Sequence, residues 1–360
     1  MIDHVLSRAN MLSALERVET NKGSHGVDGM LVKDLRRHIQ QNWETIRESI
    51  QNGTYEPSPV RRVEIPKPNG GKRLLGIPTV TDRLIQQAIT QVLTPIFDPT
   101  FSEHSYGFRP QRRGHDAVRK ARTFMQEGYR IVVDIDLEKF FDRVHHDRLM
   151  ARLAEEIADK TLLKLIRKYL QSGVMENGIV QPTTEGAPQG GPLSPLLSNI
   201  VLDELDKELE KRNLHFVRYA DDCNIYVKTW KAGNRVKETV TEFIEKKLKL
   251  KVNQAKSAVA RPWKRKFLGF TLSWDKAYPK VKISTTSLQR LKAKIKEFTS
   301  RKSPIPMEQR IKKLNRYLTG WCGYYALVDT ASLFKESWMN GYEEDYACAS
   351  GSSGSIPERK

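Results

Sequence analysis

Apolar positions recur at helical spacing over the first fifty residues. "DHVLSRANMLSALERVET" reads as a helix that ends in the Gly-rich turn "NKGSHGVDGM", and residues 34–52 form a second amphipathic helix. The rhythm then changes. "RRVEIPKPNGGKRLLGIPTVTDRLIQQAITQVLTPIFD" predicts a strand, a loop at Pro66–Gly71, another strand and a helix from Val80. "YRIVVDIDLEKFFDRV" holds an apolar strand, 131–137, that breaks into a helical segment. Helices follow over 146–157 and 160–171, with a hairpin near 174–184. The Gly/Pro loop of "GAPQGGPLSPLLSNIVLDELDKELEKR" feeds a helix. A hairpin at 214–228, a helix at 234–250 and the strand "KFLGFTLSW" come next, and from 286 the pattern is helical and very basic. The fold class is α+β, without repeats.

Charge changes what this pattern suggests. The chain has 360 residues, enough for two or three packed subdomains, and a net charge of +18. Lys and Arg run along its whole length, which points to a polyanionic partner whose counterions are released on binding. Cys223, Cys322 and Cys348 are isolated, so neither a disulfide framework nor a zinc site is expected. The N-terminus lacks an apolar signal core and no 18-residue apolar run occurs, so the reading is cytoplasmic, with no membrane.

The candidate chemistry begins at "RYADDCNIYV", residues 218–227. Strand formers flank Asp221 and Asp222 and place them at a hairpin tip, where two like charges repel. The strand "IVVDID" supplies Asp134 and Asp136 on one face, because side chains alternate. If that strand ends beside the hairpin, carboxylates converge. Hard oxygen donors suit Mg²⁺, and two such ions serve in-line nucleotidyl transfer. An Asp-Asp surface turn is the plain alternative for the dipeptide by itself. His145 and His146 adjoin without ligand-spaced partners, and "PKPNGG" lacks the spacing of a phosphate-binding P-loop.

"YADD", "DLEKFF", "PQGGPLSP" and "FLGF" occur in the order of a reverse transcriptase palm. With "GVDG", "IPKPNGGKRLLGIPT", "SYGFRPQRRGHDAV" and "LNRYLTGWCGYY", the sequence resembles bacterial group II intron-encoded reverse transcriptase/maturases over residues 1–335. The resemblance implies a right-hand polymerase: fingers and palm with an antiparallel sheet, plus a partial helical thumb. It implies an N-terminal extension over 1–60, fingers and palm over 61–285 (fingers about 61–125 and 160–190), and the opening of the thumb at 286–335.

The resemblance also implies roles. Asp136, Asp221 and Asp222 become the catalytic acids and the ligands of two Mg²⁺ ions, with Asp134 a structural neighbour. Phe141 matches the steric gate against a ribose 2′-hydroxyl, while Phe140 packs in the core. Lys67 and Arg73 match the clamp on the incoming dNTP, with Lys72 a rival. Gln189 and Lys256 match nucleotide-binding positions, the lysine as a proton donor to pyrophosphate. Arg61, Gly190, Gly191 and the "FLGF" residues Phe267, Leu268 and Gly269 match primer and template contacts, glycine allowing close backbone approach to nucleotides. The implied partners are an RNA template with its DNA primer, dNTPs and group II intron RNA.

The final 25 residues, 336–360, are net −3, Gly/Ser-rich and without helical periodicity, so disorder is expected. Codons for Glu336–Ser355 can be chosen so that another frame reads KLDEWIRRRLCVCFWKQWK, the continuation the family leads one to expect. A frameshifted tail is the resulting expectation; codons at 330–360 incompatible with that frame would end it. Two competing readings are a non-catalytic RNA-binding splicing cofactor and a reverse transcriptase recruited to a defence or CRISPR system. The three acids argue against the first, and the lack of visible accessory domains against the second.

Overall fold

The computed structural model describes residues 1–66, 70–176, 178–183, 185–186, 190–275, 278–300 and 304–329. The expected tail lies outside them. Three N-terminal helices, α1 (Ile2–Val5), α2 (Arg8–Asn21) and α3 (Val32–Gln51), lead into strands β1 (Val60–Pro66) and β2 (Lys72–Ile77) and helix α4 (Val80–Phe97). Thr79 starts α4 by accepting from the Asp82 N–H. Leu84, Ile85, Ala88, Ile89, Val92 and Leu93 keep a broad apolar face of that helix buried. Asp82 itself is buried. It accepts hydrogen bonds from the Tyr55 hydroxyl (2.8 Å), the Thr79 hydroxyl (2.6 Å), the Ser58 N–H (3.2 Å) and the Tyr169 hydroxyl (3.2 Å), tying the N-terminal helices to the middle of the chain.

Next come α5 (Gly114–Gln126), β3 (Ile131–Ile135), α6 (His146–Glu156), α7 (Lys160–Gln171), the hairpin β4 (Val174–Glu176) and β5 (Ile179–Gln181), and α8 (Ser194–Lys211). The chain continues as β6 (His215–Tyr219), β7 (Asp222–Val227), α9 (Trp230–Lys246), β8 (Ala258–Ala260), β9 (Phe270–Asp275), β10 (Tyr278–Ile283), α10 (Thr285–Thr299) and α11 (Met307–Tyr325).

Two four-stranded sheets frame the centre. One has the order β2-β1-β4-β5, joined where Val60 pairs Val174 in parallel; the other is antiparallel, in the order β6-β7-β3-β8. The second sheet serves two cores. Ile131, Val133 and Ile135 face the main core, whereas Val132 faces a smaller core with α5, β9 and β10. This is the two-residue alternation of a strand.

Several boundaries differ from the sequence expectation. β3 stops at Ile135, because Leu137 bridges to Val252 instead of continuing the ladder. α9 begins four residues early, with Thr229 as its cap. The α5 segment, passed over above, is a full helix burying Ala117, Val118, Ala121, Phe124 and Met125. "FLGF" is a tight turn rather than strand. Phe267 and Phe270 exchange both backbone hydrogen bonds around Leu268 (φ 52°) and Gly269 (φ 86°). Among the described residues no helix is long and apolar enough to cross a membrane.

Candidate active site

Register brings the acids together. Ile135 pairs Cys223 across β3 and β7, so one step further along the ladder Asp136 comes opposite Asp222. Tyr219 pairs Asp222, leaving Ala220 and Asp221 as a two-residue turn, with Ala220 at φ 55°. A short segment clamps the backbone of Asp136: its N–H donates to Ser257 Oγ (2.9 Å), and its carbonyl accepts from the Asn253 N–H (2.8 Å).

The electrostatics follow from this crowding. Burial, then the charges of Asp221, Asp134 and Asp136, pushes the Asp222 carboxyl up to about 6; Lys266 opposes them. Asp221 is raised as well, by burial and then Asp136, with Arg73 and Arg218 pulling the other way. Asp134 is raised by burial, which Arg265 offsets from 2.6 Å. Arg265 thus engages the Asp134 carboxylate directly. Lys256 Nζ stands 3.7 Å from Asp136 Oδ2.

The donors at the acid end are all hard carboxylate oxygens, and their shared charge is only partly offset by lysine and arginine, which fits a hard divalent cation. Among the described residues no three His, Cys, Asp or Glu side chains already form a ready metal cluster.

What holds the turn was not foreseen from the sequence. Arg218, fully buried, donates to both carboxylate oxygens of Asp206 (2.7 and 2.5 Å), to Asn199 Oδ1 (3.0 Å), to Ser105 Oγ (2.7 Å) and to the Ala220 carbonyl (2.9 Å). Burial disfavours its charge, but Asp206 outweighs this and keeps the guanidinium charged. A signal did exist. Arg218 shares the inward face of β6 with Phe216, and Asp206 sits on the buried stripe of α8 between Leu205 and Leu209. Opposite charges at inward positions of neighbouring elements announce a buried pair.

The "SYGF" loop lies under the same turn. A Cβ built on Gly107 would stand 2.2 Å from the Ala220 nitrogen. Gly107→Ala is therefore expected to push the hairpin aside, costing about 1–3 kcal/mol of stability and most of the primer extension. A denaturant titration and an extension assay on the same preparation check both effects.

The remaining expected residues fall in several places. Arg73 is exposed and acts on Asp221 across the cleft, whereas Lys72, on the other face of β2, is paired with Glu64 at 2.5 Å. Lys67 and Gln189 lie outside the described residues. Phe140 is buried and Phe141, half-buried, meets it edge-on at 5.1 Å between centroids. Arg61 is occupied by the N-terminal loop, donating to the His25 carbonyl (2.9 Å) and Ser24 Oγ (2.8 Å). Gly190 and Gly191 have a packing reason for lacking a side chain: a Cβ would meet the Gly76 carbonyl at 2.6 Å and Gln86 Oε1 at 2.1 Å. Phe267 is buried, and the Leu268 carbonyl accepts from the Tyr324 hydroxyl at 2.8 Å. A Cβ on Gly269 would strike the Tyr325 hydroxyl at 2.5 Å, so this turn is where α11 docks.

An antiparallel palm sheet with acids at one end, which Arg73 of β2 also acts on, defines a right-hand polymerase fold. The family model for reverse transcriptase (RNA-dependent DNA polymerase) matches residues 65–272, and that for the group II intron maturase-specific domain matches 288–342. The chain belongs to the group II intron-encoded reverse transcriptase/maturases. The maturase match carries the family likeness seven residues beyond 335, where the sequence reading ended it.

Group II intron-encoded protein LtrA of Lactococcus lactis subsp. cremoris is 31% identical over 93% of this chain and 71% of its own length. Protein YkfC of Escherichia coli (strain K12) is 34% identical over 67% of this chain and 74% of its own. Among solved structures, a chain of a partial Cas6-RT-Cas1–Cas2 complex aligns with a TM-score of 0.43 at 24% identity, over 68% of this chain; the present chain spans 42% of that one.

Proposed function

We propose that this chain is an active RNA-directed DNA polymerase that also binds group II intron RNA. Catalytic activity, the residues that carry it and the identity of its partners are the parts that go beyond family membership. One observation supports the reading most: Asp136, Asp221 and Asp222 share one end of the palm sheet so closely that burial and mutual repulsion hold Asp222 well above an ordinary carboxylate. A chain that only bound RNA would gain nothing from such a cost.

The reaction joins a primer 3′-oxygen to the α-phosphorus of a dNTP and breaks the bond from that phosphorus to the pyrophosphate oxygen. Asp136, Asp221 and Asp222 would hold two Mg²⁺, which when bound lower the pKa of the attacking hydroxyl and offset charge on the leaving group. Arg73 approaches from the fingers, where its fixed positive charge stabilises the triphosphate. Lys256, 3.7 Å from Asp136, gives a proton to the departing pyrophosphate in this reading. The clamp from Asn253 and Ser257 fixes the backbone that carries the Asp136 carboxylate before substrate arrives.

Phe141 closes the sugar pocket in this reading. Phe141→Ala should lower discrimination against ribonucleotides about tenfold or more, measured as the ratio of dNTP to rNTP incorporation efficiency. An unchanged ratio, together with a lowered one in Phe140→Ala, would move the gate to the neighbouring ring.

The test of the whole proposal is primer extension on poly(rA)/oligo(dT) with dTTP and Mg²⁺. Extension that depends on Mg²⁺ and on all three acids supports it. A well-folded chain that binds the heteroduplex but adds no nucleotide refutes it and favours the splicing-cofactor reading.

A further inference from the structure

The palm sheet has an opposite end that primer extension does not use. β3 starts at Ile131, about 17 Å from Asp136 at the usual rise per strand residue. Val227 pairs Ile131 and Ala260 pairs Val132, so Arg130, Lys228 and Arg261 emerge together just beyond the ladder. Aromatic rings accompany each of them. The Arg261 guanidinium lies 5.9 Å from the Trp230 ring centroid and 5.6 Å from that of Trp263, and these indoles are 46% and 42% exposed. Arg261 reaches the Arg130 carbonyl at 3.5 Å, and the Arg130 guanidinium covers Trp274 at 4.3 Å. Lys228 sits 5.1 Å from the Tyr129 centroid. Among the described residues, none of these three cations is in an ion pair.

We propose that this edge is a stacking platform for an unpaired stretch of RNA, separate from the cleft that holds template and primer. A single tryptophan lying on an arginine stem is ordinary surface cover. Here cations and four aromatic rings gather at one end of the sheet, Arg130 and Lys228 with Trp274 and Tyr129, Arg261 with Trp230 and Trp263, and these last two indoles stay open to water. Unpaired bases stack on such rings, while unneutralised guanidinium and ammonium groups attract the phosphates between them. The exposed indoles are interrupted by charge, which suits splayed bases better than it suits an apolar protein face. The proposal rests on the RNA-binding half of the function above and not on its catalytic half.

The experiment fills the cleft with a short rA/dT template–primer and then measures the anisotropy of fluorescein-labelled 12-nucleotide oligo(C) on the full chain. Trp230→Ala combined with Trp263→Ala is expected to weaken oligo(C) binding about tenfold or more and to leave template–primer affinity and melting temperature unchanged. Arg261→Gln should weaken it less and flatten its salt dependence. Unchanged oligo(C) affinity in the double variant overturns the proposal. So does a parallel loss of template–primer affinity, which would make the platform part of the cleft. A wild-type chain that binds oligo(C) through these tryptophans yet extends no primer would refute the polymerase reading while leaving the platform standing.

Discussion

Asp221→Asn and Asp222→Asn each lower Mg²⁺-dependent primer extension by at least about 10²–10³-fold, the scale of losing one preorganised electrostatic group. Neither change should harm the fold. Asp222 stands at the end of β7, where its carboxyl is crowded by the protein and its neighbours repel its charge. Its carboxyl is raised to about 6 in the folded chain, so the folded state binds this proton more tightly than the unfolded state does. Stability from this group is therefore complete below the unfolded value near pH 4 and is lost as pH rises through about 6. At neutral pH the charge is a cost, and Asp222→Asn removes it. In EDTA at pH 7.5 the variant should melt at the wild-type temperature or higher, the gap closing below about pH 4. Added Mg²⁺ should raise the wild-type melting temperature more than the variant's, because binding to the folded state stabilises it. A variant that melts well below wild type in EDTA would place Asp222 among the structural residues instead.

Replacing Arg218 has the larger effect on stability. Arg218→Met strands Asp206 as a buried charge and removes the donor to the Ala220 carbonyl, so a loss of about 3–5 kcal/mol is expected. Chemical denaturation would show a lower midpoint with an unchanged slope. Arg218→Met combined with Asp206→Leu should recover most of that stability, since a buried pair exchanged whole for apolar groups is often near neutral. Primer extension should stay low in the double variant, because nothing then holds the turn that carries Asp221. Full recovery of activity would show that the pair only fills space. An undiminished midpoint in the single variant would contradict the burial of the pair.

These two predictions rest on residues of different legibility. The acids were legible because two neighbouring carboxylates between strand-forming runs break the local pattern, and the family register then singled out Asp136 from Asp134. Charge and side-chain rhythm likewise pointed to a basic α+β protein with a polyanionic partner, and local signals placed α4, α6 and α7 nearly to the residue. Such features are determined within a few turns of chain, by side-chain period and capping groups.

Other features depend on pairings far apart in sequence. The assignment of "FLG" to the strand that holds from Phe270 onward failed because Gly269 must admit the Tyr325 hydroxyl of α11, more than fifty residues on. The packing that leaves Gly190 and Gly191 no room for a side chain, against Gly76 and Gln86, was not legible in the sequence. The hydrogen bonds that tie Arg61 to His25 and Ser24 were not legible either. The clamp of Asn253 and Ser257 on Asp136 and the Arg218–Asp206 pair join elements whose proximity no local period records. The sequence by itself determined which groups could do chemistry, since that depends on residue type and local pattern. The tertiary structure decided which of them meet, because distance across a packed core is set by all the elements at once.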